Sequence, residues 1–354
     1  MLNWTEILHW VVNEAALQTY LHDMGTVVLL VVIVFCIYGL SKGADWAIEG
    51  VVDLALRTGL PRIVLGATIV SLGTTLPEAF VSVAAAWMGN PGLALGNGVG
   101  SIIADTGLIF GLTCILAKVP MDRYILDRTG WVQVGAATLL VGIAVVALIV
   151  MPEGPYLSRW VGFLFLGLLG GYMYATYFWA KKGGASADHG QNDGSRSRFS
   201  LTKCWGMIIG GLTLIILCAR ILIPAVSVVA QRWGVPDDVI AATMVAFGTS
   251  VPELMTAFTA VRKGHPEIMV GNVVGADVLN CLFVIGAAAV AKPLAVPMNF
   301  YHFHFPALLI IIFSFRFFIS FLNKDGWFKR WQGGWLMGIY LIYVVLQYVL
   351  SIAA

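Results

Sequence analysis

The chain has 354 residues, 59% of them hydrophobic and only 11% charged, where soluble globular chains carry about 25% charged residues. Lys and Arg number 21 against 19 Asp and Glu, a formal +2 that excludes the strongly basic surface of a nucleic-acid binder. A mean hydropathy of +0.86 and recurring apolar runs of about 20 residues, each long enough to cross a hydrocarbon core of ~30 Å, exclude a soluble enzyme, a disordered chain and a secreted disulfide scaffold, and point to an all-α polytopic membrane protein.

In chain order, residues 1–24 place Trp4, Ile7, Leu8, Val11, Val12 and Leu17 at helical spacing, with Glu6, Asn13 and Glu14 between them. That is the pattern of a helix lying in the membrane interface. No Lys or Arg precedes Lys42, so a signal peptide is not expected. Ten spans are predicted near 25–53, 62–88, 93–117, 131–150, 160–180, 204–230, 237–262, 268–290, 302–322 and 332–352. Asp45, Glu49 and Asp53 recur every four residues on the first span, as an ion-access path or as a polar stripe against the bundle. Asp45 aligns with Arg220 and is a possible partner for it. The cysteines Cys36, Cys114, Cys204, Cys218 and Cys281 scatter without CxxC spacing and read as small buried hydrophobes. His302 and His304 stand two apart, diverge on a helix, and are expected at the interface rather than as ligands.

With the N-terminus outside, the inward loops hold fifteen basic residues between Arg57 and Arg330, and the outward loops hold only Arg159, Arg232 and Lys292. This asymmetry places both termini outside. The Gly-, Ser-, Asp- and Asn-rich stretch 183–200 reads as a flexible cytoplasmic linker. It separates a first half, 25–182, from a second half, 201–354, with five spans in each. An odd number of spans per half puts repeated halves in opposite orientations. Residues 66–111 align without a gap on 241–286, with about a third of positions identical. GTTLPE (73–78) falls on GTSVPE (248–253), and GNGVGS (96–101) on GNVVGA (271–276).

The first motif places glycine and proline in the middle of a span, where the helix should break into two halves. The carbonyls of Ser71 and Leu72 are then expected to be freed, with those of Ala246 and Phe247 in the second copy. Freed carbonyls persist in hydrocarbon only when they line a polar cavity. Thr75-x-x-Glu78 and Ser250-x-x-Glu253 also match a capping box. A cap returns about 1 kcal/mol, whereas an acid at mid-span costs on the order of 2.5–3.5 kcal/mol on insertion scales. Two glutamates at mirrored depths therefore call for a compensating cation. In the second motif Gly96 and Gly100, and likewise Gly271 and Gly275, are spaced for close helix approach. Ser101 and Asp105 share one face, as do Asp277 and Asn280. Asn97 and Asn272 suit either a ligand role or an amide bridging the break. Carboxylates, hydroxyls, amides and carbonyls are hard oxygen donors suited to Ca2+ or Na+, and no His or Cys lies in the motifs to suggest zinc or copper.

These paired GT[ST]xPE and GNxxG[SA] segments, together with Gly43-Ala44-Asp45-Trp46 in the first span, resemble the α-repeats and opening segment of the cation/calcium exchanger superfamily. The resemblance is closest to its compact prokaryotic Na+/Ca2+ exchangers. It implies ten helices in two inverted five-helix repeats, broken at the centre, and a secondary antiporter rather than an enzyme. The implied substrates are Ca2+ and Na+, with no cofactor. It makes Glu78 and Glu253 the central ligands, completed by Thr74, Thr75, Thr249, Ser250 and Ser101 and by the carbonyls of Ser71 and Ala246. The superfamily commonly has Asn at the position of Asp105 and Asp at that of Asn280, so that pair is exchanged here. Ala276 replaces a common Ser, and Asp277 replaces a common Asn, adding a fourth acid. That acid keeps a H+-coupled or other divalent-cation exchanger open as the alternative.

Overall fold

The computed structural model describes residues 14–87, 89–121, 123–187, 198–233, 250–322 and 325–353. Helix α1 (Glu14–Asp23) precedes a break and α2 (Thr26–Thr58); residues 1–13 of the expected interfacial helix lie outside the described residues. Leu21 of α1 is buried with Leu29, Ala225, Val228 and Val229. Helix α2 stops at Gly59, whose φ of 68° lets its N–H turn back to the Ala55 carbonyl.

The second span is bent. Helix α3 (Arg62–Leu65), a π-helical turn (Gly66–Val70) and α4 (Ser71–Thr74) run on to Thr75, and α5 (Leu76–Trp87) leaves at 43°. Helix α6 (Pro91–Ala104) starts at Asn90, whose side chain accepts from the Leu93 N–H. It passes through a π-helical turn (Asp105–Phe110) into α7 (Gly111–Leu116). Helix α8 (Arg123–Val150), strand β1 (Tyr156–Leu157) and α9 (Arg159–Ala187) follow, then α10 (Leu201–Arg232) and α11 (Val251–Arg262). Helix α12 (Pro266–Leu279) continues through a π-helical turn (Asn280–Val284) into α13 (Ile285–Ala291). Strand β2 (Leu294–Ala295), a π-helical turn (Phe300–His304), α14 (Phe305–Phe317), another π-helical turn (Phe318–Leu322) and α15 (Arg330–Ala353) complete the chain.

Eight helices among the described residues are long and apolar enough to span a membrane, and the bent α3–α5 pair makes a ninth. The predicted span 237–262 is described only from Ser250 onward, as α11. Several helices overrun their predicted ends. Helix α8 starts at Arg123 rather than 131, and α9 runs to Ala187, inside the expected linker. Hydropathy marks only the hydrocarbon stretch, whereas a helix keeps its backbone bonds on into the polar region. Residues 188–197 lie outside the described residues.

Close helix crossings rest on glycine. A Cβ on Gly43 of α2 would come within 2.7 Å of the Gly211 carbonyl of α10, and one on Gly211 within 2.5 Å of the Gly43 carbonyl. Gly271 and Gly275 of α12 meet the carbonyls of Ile63 and Ala67 in the same way. Their counterparts Gly96 and Gly100 make no such approach to a described residue; the segment mirrored to 63–67 is 238–242, outside the described residues. In the first-half GNGVGS motif it is Gly98 that packs tightly, against Ile285.

The acidic stripe on α2 is a set of anchors. Asp45 pairs with Arg262 at 2.7 Å and Lys263 at 3.4 Å rather than with Arg220, and Glu49 pairs with Lys263 at 2.6 Å. Asp53 accepts from the backbone N–H groups of Arg198 and Phe199. His304, expected at the interface, is buried among Phe300, Phe303 and Tyr343, with Nδ1 2.9 Å from the Tyr343 hydroxyl. The π-helical turn at 300–304 widens the helix there and rotates His304 inward while His302 stays exposed. All five cysteines are free, and all but Cys218 are buried.

Candidate cation-binding site

The two broken-helix motifs adopt matching backbone shapes. Thr75 (φ −82°, ψ −5°) and Ser250 (φ −87°, ψ 7°) both occupy the sparsely populated bridge region at the start of the helix that carries Glu78 or Glu253. They are counterparts in the sequence alignment of the two repeats. Pro77 lacks an N–H and so deprives the Gly73 carbonyl of its i+4 donor. The Ser71 carbonyl, expected to be free, is instead bonded by the Thr75 N–H at 2.9 Å and approached by the Thr74 hydroxyl at 3.3 Å. The break is a bend rather than a gap, and two donors engage the Ser71 carbonyl within it.

The second motif meets the first through π-helical turns. One opens at Asp105 and the other at Asn280, 175 residues later. A π-turn inserts a residue into the helical ladder and re-aims the side chains around it. Asn280 Nδ2 donates to Asp105 Oδ2 at 3.4 Å. The amides of the GN pairs brace the breaks. Asn97 donates to the Glu78 carbonyl at 3.0 Å and to Ser82 Oγ at 2.9 Å. Asn272 donates to Thr256 Oγ1, which in turn bonds the Glu253 carbonyl. Their nitrogens are thus structural, while Asn97 Oδ1 is buried without a partner among the described residues.

Ser71, Thr74, Thr75, Glu78, Ser101, Asp105, Ser250, Glu253, Asp277 and Asn280 are all between 0 and 4% exposed. Repeat-one hydroxyls of Thr74 and Thr75 lie beside Glu253, and Ser250 of repeat two lies beside Asp105. The charges of Glu78, Glu253 and Asp105 face one another. Both carboxylate oxygens of Glu78 and of Glu253 lack a hydrogen-bond partner among the described residues, as do Thr75 Oγ1, Ser101 Oγ, Ser250 Oγ, Asp105 Oδ1 and Asn280 Oδ1. Among the described residues no Lys, Arg or His makes an ion pair with these acids. Buried polar atoms are normally paired, and a buried carboxylate with neither oxygen bonded is costly. The arrangement is suited to accept a cation. No three of the His, Cys, Asp and Glu side chains among the described residues form a metal-binding group by themselves. Thr249 and Ala246 lie outside the described residues.

Sequence reasoning missed Gln133 of α8. It is 2% exposed and donates through Nε2 to Asp277 Oδ2, the oxygen that also accepts from Thr106. A glutamine inside an otherwise apolar span was the available signal.

Fold and site together define a multi-pass helical membrane protein built to handle cations. A family described as "Sodium/calcium exchanger protein" matches residues 28–178 and 203–349, and the chain belongs to that family. Sodium/calcium exchanger MaX1 of Methanosarcina acetivorans is 31% identical, over 92% of this chain and 99% of that protein. Inner membrane protein YrbG of Escherichia coli is 29% identical, over 93% of this chain and 98% of its own length. A solved structure of the sodium-calcium exchanger NCX_Mj has the same fold, with a TM-score of 0.75 at 24% identity over 91% of this chain and 99% of that one.

Proposed function

We propose that the protein is a secondary antiporter that exchanges Ca2+ for Na+ across the cytoplasmic membrane by alternating access. The observation that carries this reading is the pair of buried glutamates, Glu78 and Glu253, whose four carboxylate oxygens all lack partners among the described residues. Each sits one turn past a mirrored helix break, beside the other acid of the set. Ca2+ or several Na+ ions neutralise the same acids, so the two cargoes compete, and competition for one charge set couples their fluxes. Glu78, Glu253 and Asp105 supply charge. Thr74, Thr75, Thr249, Ser250, Ser101, Asn280 and the Ser71 and Ala246 carbonyls supply neutral oxygens.

The architecture proposed is ten spans in two inverted halves, 25–182 and 201–354, joined by a cytoplasmic linker at 183–200, with both termini outside. Support comes from contacts between loops. The 151–159 loop pairs with 292–296 through β1 and β2 in antiparallel register, Pro120 bridges Trp327, Arg57 reaches the Phe199 carbonyl, and Arg232 reaches the His22 and Met24 carbonyls. Each contact joins loops assigned to one side of the membrane by the basic-residue count. The glycine-lined crossing of α2 and α10 gives a smooth surface on which the two long helices slide as a pair to open either side. An inward-directed Na+ gradient is excluded as the driver of uptake; an outward-directed Na+ gradient, with pH clamped on both sides, should drive radiolabelled Ca2+ into proteoliposomes. Uptake driven only by a pH gradient would replace this reading with the H+-coupled alternative.

A further inference from the structure

We propose that Asp277, Gln133 and Thr106 form a separate monovalent-cation site beside the central glutamates, an inference that rests on the exchange reading above. Asp277 lies on α12, Thr106 in the π-helical turn that opens at Asp105, and Gln133 on α8, outside both repeat windows. Thr106 Oγ1 donates to Asp277 Oδ2 at 2.5 Å, and Gln133 Nε2 donates to the same oxygen. Two donors converging on Oδ2 leave Asp277 Oδ1 and Gln133 Oε1 over. Both are buried, and neither has a partner among the described residues. An amide that gives its N–H to a carboxylate still keeps its carbonyl oxygen as an acceptor. Its unmatched oxygen and the free carboxylate oxygen then stand in the same small cluster.

Charge decides which cation fits. One carboxylate, one amide oxygen and one hydroxyl carry a single negative charge, which a monovalent ion cancels. A divalent ion would leave an uncompensated positive charge inside the membrane, the costly case. All the donors are hard oxygens, the ligands Na+ prefers over softer chemistry. Among the described residues no basic side chain forms an ion pair with Asp277. The cluster also lacks a mirror image, because the positions aligned with Asp277 and Thr106 in the other repeat are Ile102 and Cys281. It is an addition to the symmetric set and not one half of it.

The test is equilibrium binding of radiolabelled Na+ to the purified full-length chain in detergent, counted per chain and then displaced with Ca2+. Asp277→Asn keeps an acceptor oxygen for Thr106 and Gln133, and Gln133→Met keeps the side-chain length; melting in detergent reports that each is folded. Each variant is expected to bind one Na+ fewer than the wild type. An unchanged Na+ count with unchanged half-saturation in both variants overturns the site, and is also the result if Asp277 holds a proton instead. A wild-type chain none of whose bound Na+ is displaced by Ca2+ overturns the exchange reading itself.

Discussion

Asp105 and Asn280 each open a π-helical turn, and the amide of Asn280 points at Asp105, with Nδ2 3.4 Å from Oδ2. The acid and the amide are thus neighbours at aligned positions of the two repeats. Moving the charge from one to the other leaves the total charge of the set unchanged. Asp105→Asn alone removes one charge and is expected to weaken Ca2+ binding at least tenfold, about 1.4 kcal/mol. The double change Asp105→Asn with Asn280→Asp restores the charge at the partner position. It should recover most of the lost affinity, as measured by Ca2+ concentration dependence of uptake. A double variant as weak as the single one would show that the two positions are not equivalent.

Glu78→Gln and Glu253→Gln are each expected to abolish Na+-driven Ca2+ uptake. They should also stabilise the ion-free chain. Each carboxylate sits buried with both oxygens unpaired among the described residues, and an acid at mid-span costs on the order of 2.5–3.5 kcal/mol on insertion scales. Replacing it with an amide relieves part of that cost. Thermal unfolding in detergent should therefore rise for both variants in chelator, while the extra stabilisation given to the wild type by Ca2+ disappears. Transport at the wild-type rate by either variant removes the glutamates from the mechanism.

The glutamates, their hydroxyl neighbours and the helix break were legible because proline, glycine and an intramembrane acid each have a strong local cause. The repeat at a fixed offset doubled every one of those signals. Contacts between distant segments were not legible. Gln133 comes from a span outside both repeats, and only packing brings it to Asp277. The partners of Asp45 were misjudged because alignment offered Arg220, while the fold brings up Arg262 and Lys263 from the end of α11. The π-helical turns carry no composition signal of their own. His304 was placed at the interface because a regular helix would leave it there, and the extra residue of such a turn carries it inward.

Gly271→Ala tests the packing that holds the bent span against α12. A Cβ there would come within 2.0 Å of the Ile63 carbonyl oxygen, and a backbone atom cannot rotate aside as a flexible side chain can. Overpacking of this kind costs about 1–3 kcal/mol, sometimes more. The variant should melt well below the wild type in detergent, whereas Gly210→Ala on α10, which meets nothing within 4 Å among the described residues, should not. Equal melting of the two would show that the approach of these helices is looser than the structure has it.

The pairs Asp45–Arg262 and Glu49–Lys263 tie α2 to the end of α11 at 2.7 and 2.6 Å. Arg262 is 52% and Glu49 47% exposed, so each pair is worth only about 0–1 kcal/mol and is screened by salt. Such a weak latch biases one state without locking it, as the proposed sliding of α2 requires. Raising ionic strength with choline chloride, at constant Na+ and Ca2+, should change the wild-type turnover as the latch is screened. The double variant Asp45→Asn with Glu49→Gln has no latch to screen and should lose that dependence. The two pairs together are worth at most about 2 kcal/mol, which limits the change in state population to about thirtyfold, so the variant keeps measurable transport. Salt dependence that persists undiminished in the double variant would assign it to other charges and leave α2 free of this restraint.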